Sequence, residues 1–108
     1  MSPVEQGPFF HVVYFWLKNS KSKEDTIKLY NELNKFLTQN KQVLTSHIGS
    51  PVESEREVVD SSYDLSLIVT FNSKEEQEVY QNDPTHLSFI DKASNLWEKV
   101  QVFDSIKT

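Results

Sequence analysis

The chain has 108 residues, the length of one domain with room for a modest core, since at this size roughly two-thirds of the unfolded surface can be buried. Seven Phe, four Tyr and two Trp within a 37% apolar, 25% charged composition describe a packed globular protein rather than a disordered one. The net charge of −5, with eleven basic residues scattered along the chain, excludes the basic stripe that nucleic-acid binding needs, and the lack of cysteine removes disulfides, thiolate metal sites and cysteine nucleophiles together.

In chain order, the opening MSPVEQGPFF has neither the cationic start nor the long apolar run of a signal peptide. No segment approaches the ~18 uninterrupted apolar residues of a membrane span. A cytoplasmic protein that makes no membrane contact is expected. FFHVVYFWLK (9–18) is apolar at both parities and reads as a strand buried on both faces. SKED (22–25) pairs an N-cap Ser22 with Asp25 and opens an amphipathic helix to about Gln39, with Leu29, Tyr30, Leu33, Phe36 and Leu37 on one arc.

QVLTSHIGS (42–50) reads as a second strand, and the acidic stretch 51–61 as an exposed loop. YDLSLIVTF (63–71) alternates, with Tyr63, Leu65, Leu67, Val69 and Phe71 on one face. SKEE (73–76) repeats the capping pattern and starts a short helix through Tyr80. Asp83 as N-cap and Pro84 at the first helical position restart a third helix to about Asn95, and WEKVQVFDSI (97–106) closes the chain as a strand.

The order β-α-β-β-α-α-β predicts an α+β, ferredoxin-like protomer: a four-stranded antiparallel sheet with its helices on one face, a single domain over 1–108 with its core at about 9–107. Such a sheet leaves its other face to water. On the first strand His11, Val13, Phe15 and Leu17 take one face and Phe10, Val12, Tyr14 and Trp16 the other, so an uncovered face would be a large apolar patch. A two-fold homodimer packed sheet on sheet covers it; the competing reading makes these residues core beneath a loop.

HVVYFWLK on the first strand, the block YDLSLIVTFNSKEEQEVYQNDPTH and the closing VQVFD resemble the stress-responsive dimeric α/β-barrel family over nearly the whole chain, least at the first eight residues and at 53–60. The strongest marker is the first-strand histidine together with a tyrosine followed by Pro-x-His. The resemblance implies a homodimeric barrel with helices outside. In the plant olivetolic acid cyclases of this family, cofactor-independent enzymes, a tyrosine and a histidine six residues apart are catalytic and a first-strand histidine lines the same pocket; these positions match Tyr80, His86 and His11. The pattern departs at Leu65 and near Leu33, where those enzymes carry a pocket histidine and tyrosine, so the pocket here is lined differently.

His86 falls at the third position of a helix, where unpaired backbone N–H groups disfavour a charged imidazole and leave it able to accept a proton. Its helical face continues through Phe89, Ile90, Ala93 and Leu96 or Trp97, which points it toward the sheet. With His86 as base, Tyr80 as hydrogen-bond donor and His11 as polarising partner, the expected chemistry is proton transfer next to the carbonyl of an apolar or polyketide-like small molecule, as in a lyase or cyclase without cofactor. Two alternatives stand beside it: a non-catalytic ligand-binding or stress-response dimer, and a monooxygenase-like dimeric barrel, which rests on fold-level analogy. The three histidines lack a paired-ligand spacing, so no metal is expected, and His47 reads as surface.

Overall fold

The computed structural model describes residues 5–108; the first four residues, part of the opening stretch read as lacking a signal peptide, lie outside the described residues. The elements run β1 (Phe9–Leu17), α1 (Lys23–Gln39), β2 (Thr45–Gly49), β3 (Leu65–Phe71), α2 (Lys74–Asn82), α3 (Pro84–Ala93), a 3₁₀ turn (Ser94–Leu96) and β4 (Trp97–Ile106). The strands form one sheet in the order β2-β3-β1-β4, every neighbouring pair antiparallel, which is the expected ferredoxin-like arrangement.

The helices start where their caps place them. Ser22 Oγ accepts from the Asp25 N–H, Ser73 Oγ from the Glu76 N–H, and Asp83 Oδ1 from the Thr85 N–H, each satisfying a first-turn donor that has no partner within the helix. Leu29, Leu33 and Phe36 of α1 and Phe89 and Ala93 of α3 are buried against the sheet. Tyr30, expected on the apolar arc of α1, is exposed, because it lies at the flank of that arc beyond the reach of the sheet. The third helix gives way to 3₁₀ geometry at Ser94 and does not reach Asn95 as α-helix.

β2 is shorter than expected because Asn40 turns the chain before it: the side-chain Oδ1 accepts from the N–H groups of Gln42 and Val43, taking both out of the sheet ladder. β3 likewise begins at Leu65, and Asp64 just before it is a buried carboxylate that accepts from the N–H groups of Leu17 (2.9 Å) and Lys21 (2.7 Å). Lys21 adopts a left-handed φ of 63°, and its Nζ donates to the Tyr63 carbonyl at 2.7 Å. Asp64 thus ties the turn from β1 into α1 to the start of β3, a role that its place on the polar parity of the strand does not announce.

β1 is buried on one face and half-buried on the other, not buried on both. Phe9, His11, Val13, Phe15 and Leu17 lie under the helices, facing Leu65, Leu67, Val69 and Phe71 of β3. Phe10, Val12, Tyr14 and Trp16 share the opposite face with Ile68 of β3 and Phe103 of β4. One end of that open face is lidded by the loop before β3: Trp16 Nε1 donates to Ser62 Oγ at 3.0 Å, Tyr14 packs edge-on against Tyr63 at 4.9 Å, and Lys99 Nζ sits 4.4 Å above the Trp16 ring. The rest, with Phe103 60% exposed, stays open.

Candidate functional site

Helices α1, α2 and α3 cover β2, β3 and β1 but stop short of β4, and a cavity of about 490 Å³ opens in the gap. Its floor is the covered face of β1 and β4 in register: His11 opposite Asp104, Val13 opposite Val102, Phe15 opposite Val100. Its walls are Gln77, Tyr80 and Gln81 from α2, His86, Phe89 and Ile90 from α3, and Trp97. Successive residues on one face of a strand stand about 7 Å apart, so the cavity grades from polar at His11 and Asp104 to aromatic at Phe15, Phe89 and Trp97.

Tyr80 lies between two imidazoles. Its ring centroid is 5.7 Å from that of His11 and 5.1 Å from that of His86, with Phe71 (4.8 Å) and Phe36 (5.3 Å) packed on its other sides. The side chain is buried, and burial first, with the negative charge of Asp104 second, pushes the phenol far above its ordinary value. Tyr80 therefore keeps its proton around neutral pH and its hydroxyl has a hydrogen to donate.

The tight reversal between α2 and α3 sets His86 beside it. Asp83 is shared by both helices: its N–H bonds to the Tyr80 carbonyl at 3.2 Å, and its carboxylate caps α3. His86 Nδ1 lies 3.1 Å from the Gln81 carbonyl, which can only accept, so Nδ1 carries the proton and Nε2 presents a lone pair. The imidazole is held below its ordinary value chiefly by burial, with the neighbouring His11 adding to the effect against the opposing pull of the Gln81 carbonyl and Asp83. Burial rather than the helix end leads here.

His11 Nδ1 is 2.6 Å from Asp104 Oδ1, a hydrogen bond that fixes the ring and leaves Nε2 as its second functional atom. The structure brings His11, Tyr80 and His86 into one cavity, and leaves His47 exposed on β2, on the opposite face of the sheet. Three residues of the site escaped sequence reasoning. Asp104 falls in the same parity as Val100, Val102 and Ile106, so a carboxylate in an otherwise apolar register was the available signal. Gln77 and Gln81 lie three residues before and one after Tyr80 on the same helix; Gln77 is buried and donates through Nε2 to Gln81 Oε1 at 2.9 Å.

A family model described as the stress-responsive A/B barrel domain matches residues 9–107. Among solved structures, an Arabidopsis thaliana protein is 26% identical, with 94% of this chain and 96% of that one covered and a TM-score of 0.78. A hydroxynitrile lyase from Passiflora edulis is 17% identical, with 98% and 96% covered and a TM-score of 0.77. A dimeric ferredoxin-like protein of unknown function from Thermobifida fusca is 11% identical, with 91% and 89% covered and a TM-score of 0.72. The last two likenesses are likenesses of fold. No curated protein matches the chain.

Proposed function

The chain belongs to the stress-responsive A/B barrel domain family, and from that premise we propose that it is a cytoplasmic homodimer whose cavity binds a carbonyl-containing small molecule and catalyses a cofactor-independent lyase or cyclase reaction by proton transfer. The observation that carries the reading is the placement of the Tyr80 phenol between the imidazoles of His11 and His86 in a cavity otherwise lined largely by apolar groups. The lyase from Passiflora edulis on the same fold agrees with it.

In this reading a carbonyl oxygen accepts from the Tyr80 hydroxyl. His86 Nε2 removes a proton from the adjacent carbon, and the electron pair moves onto the oxygen as an enolate that the phenol holds. The imidazolium formed on His86 then returns its proton to the product. His11, oriented by Asp104, adds a second polar contact near the developing charge. Low polarity around these groups strengthens each such contact, and a positioned base supplies ~10²–10⁴-fold in rate.

Tyr80→Phe and His86→Ala are tested beside the wild type against a panel of β-dicarbonyl and polyketide-like compounds. Each substitution should lower kcat/KM about 10²-fold or more at unchanged fold. The His86 imidazole is the base form above its depressed value, so wild-type kcat/KM should hold steady from neutral pH downward and fall only below the ordinary histidine range of about 6.5. Equal turnover in all three proteins, or none in any, rejects catalysis. A second reading, a ligand-binding dimer that performs no reaction, draws on the depth of Tyr80, only 1% exposed among Phe36 and Phe71. It predicts that cavity ligands raise Tm while no product forms.

The dimer in this reading forms through the open sheet face carrying Phe10, Val12 and Phe103. The described dimeric state of the Thermobifida fusca protein, on the same fold, supports it.

A further inference from the structure

We infer that the cavity selects uncharged ligands over anions of the same shape, and that Asp104 sets this preference. The inference rests on reading the cavity as a small-molecule site, and it concerns which carbonyl compounds enter rather than what happens to them. Among the described residues that line the cavity there is neither lysine nor arginine. The polar groups are His11, Gln77, Tyr80, Gln81, His86 and Asp104. Two of these are amides, Tyr80 is a protonated phenol and His86 an unprotonated imidazole at neutral pH. The one carboxylate among the lining residues, Asp104, lies 2.6 Å from His11 Nδ1 and occupies that nitrogen, so the atom is not open to an incoming anion.

A carboxylate or phosphate entering this space would lose its hydration without meeting a cation in return, and that loss is repaid only by an opposite charge or a full set of donors. The N-terminus of α3 would be the natural source of attraction for an anion. It is already used: Asp83 caps it through the Thr85 N–H and brings its own negative charge to that end. Asp104, on β4 at the unroofed side of the cavity with a side chain 43% exposed, faces any ligand that approaches past the edge strand. A neutral ketone or aldehyde meets none of this opposition. It can accept from Tyr80 while its apolar body lies against Phe15, Phe89 and Trp97, whose rings stand 5.1 to 6.5 Å apart.

The test is a fluorescence titration of the full chain, at pH 7.5 and low salt, with 2-acetylnaphthalene and 2-naphthoate, which share a ring system and differ in charge at one group. The wild type should bind the ketone about tenfold or more tightly than the carboxylate. Asp104→Asn, which keeps the size and the hydrogen-bonding reach toward His11, should narrow that ratio about threefold or more. If circular dichroism finds Asp104→Asn unfolded, Gln81→Lys takes its place: a cation on the same wall should raise naphthoate affinity at least tenfold relative to the ketone. Naphthoate binding as tightly as the ketone overturns the charge preference while leaving the cavity a ligand site. A preference that Asp104→Asn leaves intact overturns the assignment to Asp104. Failure of both probes to bind removes the small-molecule reading itself, and this inference with it.

Discussion

The two faces of β1 are made from one nine-residue run and end in opposite conditions. Odd-numbered residues are buried beneath helices of the same chain, and the one polar member, His11, is satisfied there by Asp104. Even-numbered residues are equally apolar but reach only half burial, with the loop at 60–63 covering Tyr14 and Trp16 and leaving Val12 and Phe10 beside an exposed Phe103. The difference teaches where this fold is complete. Packing on the covered face is finished within the protomer, so it can hold a shaped cavity with fixed side chains. The open face leaves apolar surface such as Phe103 exposed, and this is the surface that the proposed dimer would cover.

The comparison breaks most sharply at Phe71. This ring is fully buried on the covered face and touches the rings of Phe9, His11 and Tyr80. Phe71→Ala should cost about 3–5 kcal/mol of unfolding free energy, read from urea denaturation, because the removed ring leaves a space that α2 cannot close while Asp83 and the β3 ladder hold its ends. A loss below about 1 kcal/mol would mean that the covered face is not rigidly packed.

Phe103→Asp sharpens the same contrast from the other side. The side chain is largely exposed within one chain, so the substitution should leave protomer stability within about 0.5 kcal/mol. On a surface that packs against its own copy it would place two unpaired carboxylates in an apolar contact and weaken association about 10²-fold or more. Sedimentation velocity over a dilution series reads the outcome. A wild type that sediments as a single chain at micromolar concentration removes the dimer, and with it the proposed use of the open face.

How far the sequence announced this arrangement follows from the period of each element. β4 was legible to the residue and the helix starts were legible from Ser22, Ser73 and Asp83, because strand alternation and capping are local chemistry. His11, Tyr80 and His86 were reachable as a set through the family pattern, and the inward face of α3 through its helical spacing. What remained hidden depends on tertiary partners. Asp64 looks like a solvent-facing residue of an alternating strand until the turn at Lys21 presents its N–H groups. Asp104 has the parity of Val100 and Val102, and only the pairing of β1 with β4 reveals that it answers His11. The early end of the ladder at β2 required knowing that Asn40 spends its oxygen on two following amides.

The smallest predicted effects separate the two caps on the covered side. Ser73 and Asp83 both cap the starts of consecutive helices, but they stand in different places: Ser73 is at the end of α2 away from Tyr80 and His86, one turn before the wall residue Gln77, whereas the Asp83 backbone holds the Tyr80 carbonyl and its side chain sets the first turn that carries His86. Ser73→Ala should cost about 1 kcal/mol of stability and leave binding of 2-acetylnaphthalene unchanged. Asp83→Ala should lower Tm as well, yet also weaken that binding severalfold, since a frayed first turn lets His86 leave the Gln81 carbonyl and disturbs the wall shared with Tyr80. Chemical denaturation and ligand titration on the two variants check this side by side. Equal binding by Asp83→Ala and the wild type would mean that the α2–α3 reversal is held by Pro84 and packing alone, and that the cap serves the helix and not the cavity.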